Sequence, residues 1–313
     1  MIIFGSSEVS SEAVRSRVAS GTPSENSVIY LHTSALEYPV DFSGPGVRCA
    51  WGGREVSVAD GRRWTVDDDT WLFLPRAKFV SQLNAQENVT SLTLLFREGL
   101  VEEVAAAVSR SDDSLLNAHD AATPALWPWP HLQLHDKSIS AVLLFIRRNC
   151  DVGLDDPLWY EEQLGFLVER MIARHRSLSA HAQKLTVRRS STRKEIIRRL
   201  ALATDFIHGN YERSLSLADM AAAAHLSRHH FLRLFKTLND VTPYEYLQRK
   251  RTTVAARLLR DSDMPVEDVV RRVGFDSRST LFRALRRFHG VTPTQCRRIV
   301  EPLSFAAQPP ASC

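Results

Sequence analysis

The spacing of apolar residues divides the chain into two regions with different periodicities. Between residues 28 and 96, short apolar or alternating runs are separated by turn-forming residues, which is typical of β-strands. From residue 139 onward, apolar residues recur every three or four positions, which is typical of helices with one buried face. The pattern therefore predicts an α+β protein with a β-rich N-terminal region and a helical C-terminal region.

The N-terminal pattern predicts a small β-sandwich or barrel. Its segments have the composition of short strands, and turn residues separate them at regular intervals. Gly52-Gly53 predicts a hairpin between two of these strands, and Asp60-Gly61 predicts another turn. The predicted strands span residues 28–31, 47–51, 54–58, 62–66, 70–74, 80–83 and 89–96.

Two amphipathic helices are predicted between the β region and the C-terminal region. Apolar residues at helical spacing mark one face over residues 139–150 and another over residues 158–176. Such a face is buried in a folded protein, against either the same chain or another one.

The C-terminal region repeats one pattern at an offset of about 50 residues. Ser227 aligns with Ser277, and Val-Thr-Pro at 241–243 aligns with the same sequence at 291–293. Each copy predicts a short basic helix capped by Ser. A turn and a new helix follow, and the new helix begins with Thr as N-cap and Pro at its first position.

In each copy, another short helix precedes the basic helix across a tight turn. The first begins with a predicted capping box at 216–219 and ends at His225-Leu226, and the second begins near Val266 and ends at Gly274-Phe275. Helix, tight turn and helix form the helix-turn-helix pattern, in which the second helix enters the major groove of DNA. Residues 244–260 predict one long helix that joins the two units.

Each basic helix has one apolar face and one outward face. The apolar residues are Phe231, Leu234, Phe235 and Leu238 in the first helix, and Leu281, Leu285 and Phe288 in the second. The outward residues are the candidates for DNA binding: Arg228, His229, Leu232, Arg233 and Lys236 in the first helix, and Arg278, Ser279, Phe282, Arg283 and Arg286 in the second.

Residues 191–298 resemble the DNA-binding domain of the AraC/XylS family of bacterial transcription regulators. The matching sequences are LADMAAAAHLSRHHFLRLFK, VTPYEYLQRKRTTVAARLL, VEDVVRRVGF and FHGVTPTQCRR. The resemblance implies seven helices, two helix-turn-helix units and double-stranded DNA as partner. Asp240 replaces the Gly that the family usually has before the first Val-Thr-Pro, and Cys296 replaces an aromatic residue. Asp tolerates a left-handed backbone better than most residues, so we expect only a small loss of stability.

The family match assigns the outward residues to contacts with bases and with the DNA backbone. An Arg presents two donors to guanine, and Leu232 and Phe282 are assigned to thymine methyl groups. Lys236 and Arg286 lie farther along their helices and are assigned to phosphates. For any one Arg, the alternative is a phosphate contact or simple solvation.

The β region resembles the cupin-like sensor domain that is common in this family. The resemblance rests on WTVDDDTWLFLPRAKFVSQL and SLTLLFREGLVEEV, and it implies a small-molecule effector in the domain interior. The alternative is that the aromatic side chains only fill the core. The candidate effector-binding residues are His32, Arg48, Trp51, Trp64 and Trp71.

The family also implies a homodimer, contact with RNA polymerase and activation of transcription. Dimer contacts in the family often lie in the helices after the barrel, and packing onto the chain's own barrel is the alternative. Repression without a ligand is the alternative to activation. A sensor or interaction protein without specific DNA binding is the alternative to a regulator. The candidate dimer residues are Leu164, Leu167, Val168 and Met171.

The charge of the chain is unevenly distributed. Residues 192–300 contain 21 Lys and Arg against 11 Asp and Glu, a net charge of +10, whereas the remaining residues have a net charge of −6. A basic C-terminal third on an acidic body predicts a polyanionic partner for that third, although a solvated basic surface is the alternative on charge alone.

Enzymatic and metal-dependent chemistry is not expected from this sequence. His32 is the only histidine before residue 110, and a single histidine cannot supply a metal-binding triad. Asp67-Asp68-Asp69 is interpreted as a solvated turn rather than a metal site. No Gly-rich phosphate loop or nucleophile motif occurs, so we expect no cofactor.

Cysteine usage and hydropathy predict a cytoplasmic protein. Cys49, Cys150, Cys296 and Cys313 lack the spacing of a metal site or a disulfide framework. The first residues lack the features of a signal peptide, and the longest apolar run, residues 141–146, is too short to cross a membrane.

These patterns and the two resemblances together predict five consecutive segments. They are a cupin-like β domain at 1–110, a helical segment at 111–180, a linker at 181–192, an AraC-type DNA-binding domain at 193–300 and a flexible tail at 301–313.

Overall fold

The computed structural model describes two compact units. One comprises Met1–Gln133 with Ser138–Ser179, and the other comprises Leu134–Lys137 with Ala180–Cys313. Within them, the structure describes residues 2–5, 25–33, 36–59, 61–83, 89–111, 126–136, 138–183 and 190–298.

The N-terminal unit contains two β-sheets followed by helices, which confirms the α+β prediction. The larger sheet has the strand order β1 (Ile2–Gly5), β2 (Ser27–Thr33), β9 (Val89–Leu95), β4 (Gly46–Trp51), β7 (Thr70–Leu74) and β10 (His131–Leu134). The smaller sheet has the order β3 (Leu36–Phe42), β8 (Ala77–Leu83), β5 (Glu55–Ala59) and β6 (Arg62–Val66). The helices of this unit are α1 (Leu100–Ser111), α2 (Ile139–Asp151) and α3 (Pro157–Gln183).

The turn predicted at Asp60-Gly61 is confirmed at Gly61, where β5 and β6 form an antiparallel pair with Ala59 opposite Arg62. The hairpin predicted at Gly52-Gly53 is wrong, because β4 pairs with β7 and β9 whereas β5 pairs with β6 and β8. The chain therefore passes from one sheet to the other at these glycines. Every residue of β4 is buried, so this strand needs partners on both sides, and a two-stranded hairpin would not supply them.

Strands β1, β3 and β10 were not predicted. β3 contains Pro39 and two acidic residues, which weaken the strand pattern in its sequence. The structure places β3 at an edge of the smaller sheet, where it pairs only with β8 and where a missing backbone N–H is tolerated.

The larger sheet is buried on both faces. Along β2, Ile29 and Leu31 belong to a cluster that both sheets form between them, while Val28 and Tyr30 belong to a cluster with α1, α2 and α3. This alternation follows from the two-residue period of a strand. The N-terminal unit therefore has two apolar layers, one between the sheets and one between the larger sheet and the helices.

The four candidate dimer residues lie in the second of these layers. Leu164, Leu167, Val168 and Met171 are each 0% exposed and pack within their own unit. They are already covered by their own chain, which favours the alternative of packing onto the chain's own β domain for these four residues.

The C-terminal unit is helical within residues 190–298 and contains the seven helices that the resemblance implies. They are α4 (Ser190–Asn210), α5 (Leu217–Ala223), α6 (Arg228–Asn239), α7 (Pro243–Asp261), α8 (Val266–Arg272), α9 (Arg278–His289) and α10 (Pro293–Cys296). One apolar core contains residues from all seven helices, including Cys296 at the position where an aromatic residue was expected.

Helices occupy both ends of the expected linker. α3 continues to Gln183 and α4 begins at Ser190, so only residues 184–189 separate them, and these lie outside the described residues. The predicted tail at 301–313 also lies outside the described residues.

Cys49, Cys150 and Cys296 are free and buried. Burial raises the pKa of the Cys49 thiol well above its usual value and that of Cys150 to about 11, so both thiols are protonated apolar groups at neutral pH. None of the helices in the described part of the chain is both long enough and apolar enough to cross a lipid bilayer.

Candidate nucleic-acid interface

The first helix-turn-helix unit consists of α5, a tight turn and α6. A capping box starts α5, since the Asp219 backbone N–H donates to Ser216 Oγ over 3.2 Å and the Ser216 backbone N–H donates to the Asp219 carboxylate over 2.9 Å. At the end of α5, His225 adopts a left-handed conformation with φ 51°. The Leu226 N–H then reaches back to the Ala221 carbonyl over 3.0 Å, which closes the turn.

The second unit, α8 followed by α9, closes its turn in the same way. Gly274 has φ 79°, and the Phe275 N–H donates to the Val270 carbonyl over 3.0 Å. The equivalent turn residues of the two units are 49 positions apart, whereas the N-caps Ser227 and Ser277 are 50 apart. The second turn is therefore one residue longer than the first.

Ser227 and Ser277 differ in a way that the sequence does not predict. The Ser277 hydroxyl accepts from the Thr280 backbone N–H over 3.2 Å, as expected for an N-cap. Ser227 occupies the N-cap position of α6, but its side chain makes no capping hydrogen bond, so the predicted cap is wrong in this detail.

The two basic helices end in left-handed residues, and the Thr-Pro starts that follow are confirmed. Asp240 has φ 56° and Gly290 has φ 71°, so Asp240 takes the backbone conformation expected of the glycine that it replaces. Thr242 and Thr292 both form complete capping boxes. The Thr242 backbone N–H lowers the pKa of the Glu245 carboxyl, which keeps this cap charged.

The predicted faces of α6 are confirmed. Phe231, Leu234, Phe235 and Leu238 are buried in the domain core. The outward residues are all exposed, including Leu232 at 36%: Arg228, His229, Leu232, Arg233 and Lys236.

The outward face of α9 is narrower than predicted. Arg278, Ser279, Arg283 and Arg286 are exposed. Phe282 is only partly exposed and packs against the domain core, so it is shared between the two faces. The guanidinium of Arg278 lies 5.8 Å from the centre of the Phe282 ring. Phe282 therefore lies against Arg278, and it is less exposed than the neighbouring arginines.

Glu267 contacts the candidate interface and was not predicted. It lies in the first turn of α8, and its carboxylate accepts a hydrogen bond of 2.6 Å from Arg278 Nη1. Glu267 is 11 positions from Arg278, and no local spacing rule relates the two residues.

Two further arginines donate hydrogen bonds to backbone carbonyls, and neither belongs to an outward face. Arg251 donates to the Tyr211 carbonyl over 2.8 Å and to the Arg213 carbonyl over 2.7 Å. Burial lowers its pKa, which marks it as a structural rather than a surface cation. Arg199 donates to the His225 carbonyl over 3.2 Å, at the turn of the first unit. In the sequence, neither differs from the other basic residues around it.

The structure does not bring the five candidate effector residues together. Arg48 and Trp64 lie between the two sheets. Trp51 and Trp71 lie on the opposite face of the larger sheet, against the helices. His32 is exposed, and its Nδ1 lies 2.9 Å from Thr90 Oγ1. A single interior site therefore includes at most Arg48 and Trp64 from this set.

Arg48 is the centre of a polar cluster inside the sandwich. It is 0% exposed, pairs with the buried carboxylate of Glu55, and lies 4.1 Å from the centre of the Phe79 ring. Burial alone lowers the pKa of Arg48, but the Glu55 charge raises it overall, so the guanidinium stays protonated. The Glu55 carboxylate also accepts hydrogen bonds from the hydroxyls of Ser81 and Ser91.

Several buried polar atoms around this cluster have no hydrogen-bond partner within the described part of the chain. They are Arg48 Nε and Nη1, Trp64 Nε1, Ser57 Oγ and Thr93 Oγ1. Strand pairing places Thr93 opposite Arg48, and Ser57 opposite Trp64. The interior therefore presents unused donors, and leaving each one unpaired costs about 1–3 kcal/mol. No group of three or more potential metal ligands occurs among the residues that the structure describes.

Comparison with known proteins agrees with this geometry. Residues 220–299 match the family model described as a helix-turn-helix domain. The chain is 31% identical over 96 residues to the probable transcriptional regulator LumQ of Photobacterium leiognathi, covering 31% of this chain and 39% of that protein. It is 32% identical over 105 residues to the transcriptional regulator Rob of Salmonella typhimurium, covering 34% of this chain and 36% of that protein. It is 34% identical over 99 residues to an AraC-like transcription regulator of Streptomyces antibioticus, covering 32% of this chain and 33% of that protein.

The matched segment defines a DNA-binding domain with two helix-turn-helix units. This domain at the C-terminus of the chain is of the AraC type. The matches span only about a third of the length of these relatives, so they describe this domain and not the whole chain.

Proposed function

We propose that the chain is a sequence-specific, DNA-binding transcription regulator that activates transcription in response to a small-molecule effector. The observation that carries the proposal is the pair of exposed basic faces on α6 and α9, each placed after a helix and a tight turn. In helix-turn-helix proteins, this second helix enters the major groove. Two such helices joined by α7 are suited to two successive segments of one duplex.

Charge supports the choice of partner. The excess positive charge is confined to residues 192–300, and it belongs to the unit that carries both basic faces. Lys and Arg on such faces release counterions from DNA, which makes binding strongly dependent on salt. A regulator of this kind acts in the cytoplasm, contacts RNA polymerase when it activates, and is not an enzyme.

The effector site that we propose lies between the two sheets of the N-terminal unit. The unpaired donors of Arg48 and Trp64 favour a small polar molecule with several acceptor oxygen atoms. Thermal shift of the full chain against a panel of small carboxylates and sugars tests this site. The expected result is a stabilising compound whose effect is lost in Trp64→Phe, which removes the indole N–H donor and keeps a smaller aromatic ring.

A homodimer is part of this proposal, with contacts at residues more exposed than the four buried candidates. Two copies of the chain would place four helix-turn-helix units on one operator and would raise affinity through bivalent binding. Sedimentation of the full chain, alone and with operator DNA, distinguishes a dimer from a monomer.

The test of DNA recognition compares arginines of the basic faces with exposed arginines elsewhere in the chain. We expect Arg233→Ala and Arg283→Ala each to weaken binding to an operator by about 1–3 kcal/mol. Each should also relax the preference for one base of that operator. The matched control is Arg170→Ala with Arg174→Ala, which removes exposed arginines of α3 in the N-terminal unit. If the control variant loses as much affinity as the face variants, the basic faces are not the binding surface. Equal losses on all sequences would instead make these two arginines phosphate contacts.

A further inference from the structure

Arg278 occupies the first position of α9, and its guanidinium is held from two sides. Glu267 accepts a 2.6 Å hydrogen bond from Arg278 Nη1, and the Phe282 ring centre lies 5.8 Å from the guanidinium carbon. Both members of the ion pair are about half exposed, with Arg278 at 57% and Glu267 at 51%. The pair therefore lies at the surface next to the face that is proposed to contact DNA.

The hydrogen-bonding capacity of Arg278 leaves one edge free for a ligand. A guanidinium has five N–H donors in a planar fork, and Glu267 occupies one on Nη1. Guanine takes two parallel donors on its O6 and N7 atoms. The N-terminal residues of a recognition helix are those that contact base edges, so Arg278 is at a reading position.

We propose that Glu267 is a positioning residue that fixes the guanidinium of Arg278 for reading one guanine in the second half of the operator. An unrestrained Arg side chain loses rotamer entropy when it is immobilised on DNA. Glu267 and Phe282 restrict this freedom before binding, so the free edge of Arg278 is presented in one orientation. This inference rests on the proposed DNA-binding function.

The first unit lacks this arrangement. Aligning the two turns places Ala218 at the position of Glu267, and aligning the two N-caps places Arg228 at the position of Arg278. Ala218 has no carboxylate, and Arg228 makes no hydrogen bond or ion pair within residues 190–298. The second unit should therefore discriminate more sharply than the first at the base pair beside its N-terminus.

The negative charge of Glu267 should also weaken binding to DNA. A carboxylate beside a DNA-facing surface repels phosphates on every sequence, whereas its effect on Arg278 acts at one base pair only. Removing the charge should therefore raise affinity for all sequences and reduce discrimination at one position. These two effects are separable by measuring affinities over a set of single base-pair variants.

The experiment measures binding of the full chain to its selected operator and to all single base-pair variants of that operator. The variants are Glu267→Gln, Arg278→Ala and Asp268→Asn. Asp268 is the matched control, because it lies beside Glu267 in the first turn of α8 but pairs with Arg271. Asp268→Asn thus removes the same charge without touching Arg278.

We expect Arg278→Ala to abolish preference at one base pair, and Glu267→Gln to reduce preference at that same base pair by about twofold to fivefold, as exposed ion pairs allow. Asp268→Asn should keep that preference and change affinity equally on all sequences. The inference is overturned if Glu267→Gln keeps full discrimination, if it behaves like Asp268→Asn, or if Arg278→Ala relaxes no base pair. A wild-type chain that shows no sequence preference at all would instead refute the proposed function itself.

Discussion

Gly274 and Arg251 meet at the turn of the second helix-turn-helix unit. A Cβ atom on Gly274 would lie 2.9 Å from Arg251 Nη2 and 2.6 Å from the Glu212 carbonyl oxygen. Arg251 is itself fixed by hydrogen bonds to the carbonyls of Tyr211 and Arg213. The turn that orients α9 is therefore packed directly against the segment that follows α4.

Replacing Gly274 by Ala should destabilise the C-terminal unit by about 1–3 kcal/mol, because a left-handed backbone and a close approach act together. Gly290→Ala is the control, since Gly290 also has a positive φ of 71° but has open space around its Cβ position. It should cost only about 1 kcal/mol. Urea denaturation of both variants checks this, and equal losses would show that the contact with Arg251 and Glu212 contributes nothing.

The two serine N-caps should respond differently to removal of their hydroxyls. Ser277→Ala removes the hydrogen bond to the Thr280 N–H and should cost about 1 kcal/mol. Ser227→Ala removes no capping hydrogen bond and should cost clearly less. Measuring the free energies of unfolding of both variants tests this prediction. A larger loss of stability for Ser227→Ala than for Ser277→Ala would contradict the structure.

Most of the C-terminal fold was predictable because its determinants are local. Capping boxes such as Thr242–Glu245 and the four-residue apolar face of α6 lie within one or two helical turns of sequence. The left-handed conformation of Asp240 was expected because the resembled family usually has a glycine at this position. Local rules of this kind decide where helices start, end and bury one face.

The contacts that local rules miss join residues far apart in the chain. Arg251 reaches the Tyr211 carbonyl across 40 positions, and Glu267 reaches Arg278 across a turn. The same limit applies to the strands, since the partners of β4 are β7 and β9 rather than its neighbour β5. Pairing between distant segments is decided by packing of the whole domain, which a pattern of residue types does not encode.

Arg48 and Glu55 form a charged pair in the interior of the sandwich, and removing one partner should be costly. Arg48→Met leaves a buried carboxylate without its cation, which should destabilise the N-terminal unit by about 3–5 kcal/mol. The double variant Arg48→Met with Glu55→Gln removes both charges and keeps an acceptor for Ser81 and Ser91, so it should recover most of this loss. Denaturant unfolding measures the stability of the single and the double variant. An equal loss of stability in both would contradict the interpretation that Arg48 and Glu55 form a buried charged pair.

Acidification should destabilise the N-terminal unit through His131. Burial lowers the pKa of His131 to about 4, with His175 nearby adding to the shift, and the side chain is 2% exposed. The unfolded chain takes up a proton near pH 6.5 while the folded chain does not, so stability is present above this pH and is lost as pH falls toward 4.

The expected loss from this residue between pH 7 and pH 5 is about 1–2 kcal/mol in the free energy of unfolding. His131→Asn keeps a donor for the Trp129 carbonyl, which His131 Nδ1 contacts at 3.1 Å, but does not titrate. Its stability should change less with pH than that of the wild type. An unchanged pH dependence in this variant would show that other groups are responsible.

The central claim, recognition of DNA by two helix-turn-helix units in succession, is tested most directly by selecting binding sites from random duplex DNA with the full chain over a salt series. The account predicts two enriched short motifs whose centres are about one helical turn, or roughly 10 base pairs, apart. It also predicts affinity that falls steeply as salt rises. Absence of binding at low salt, or binding without any enriched motif, would contradict it.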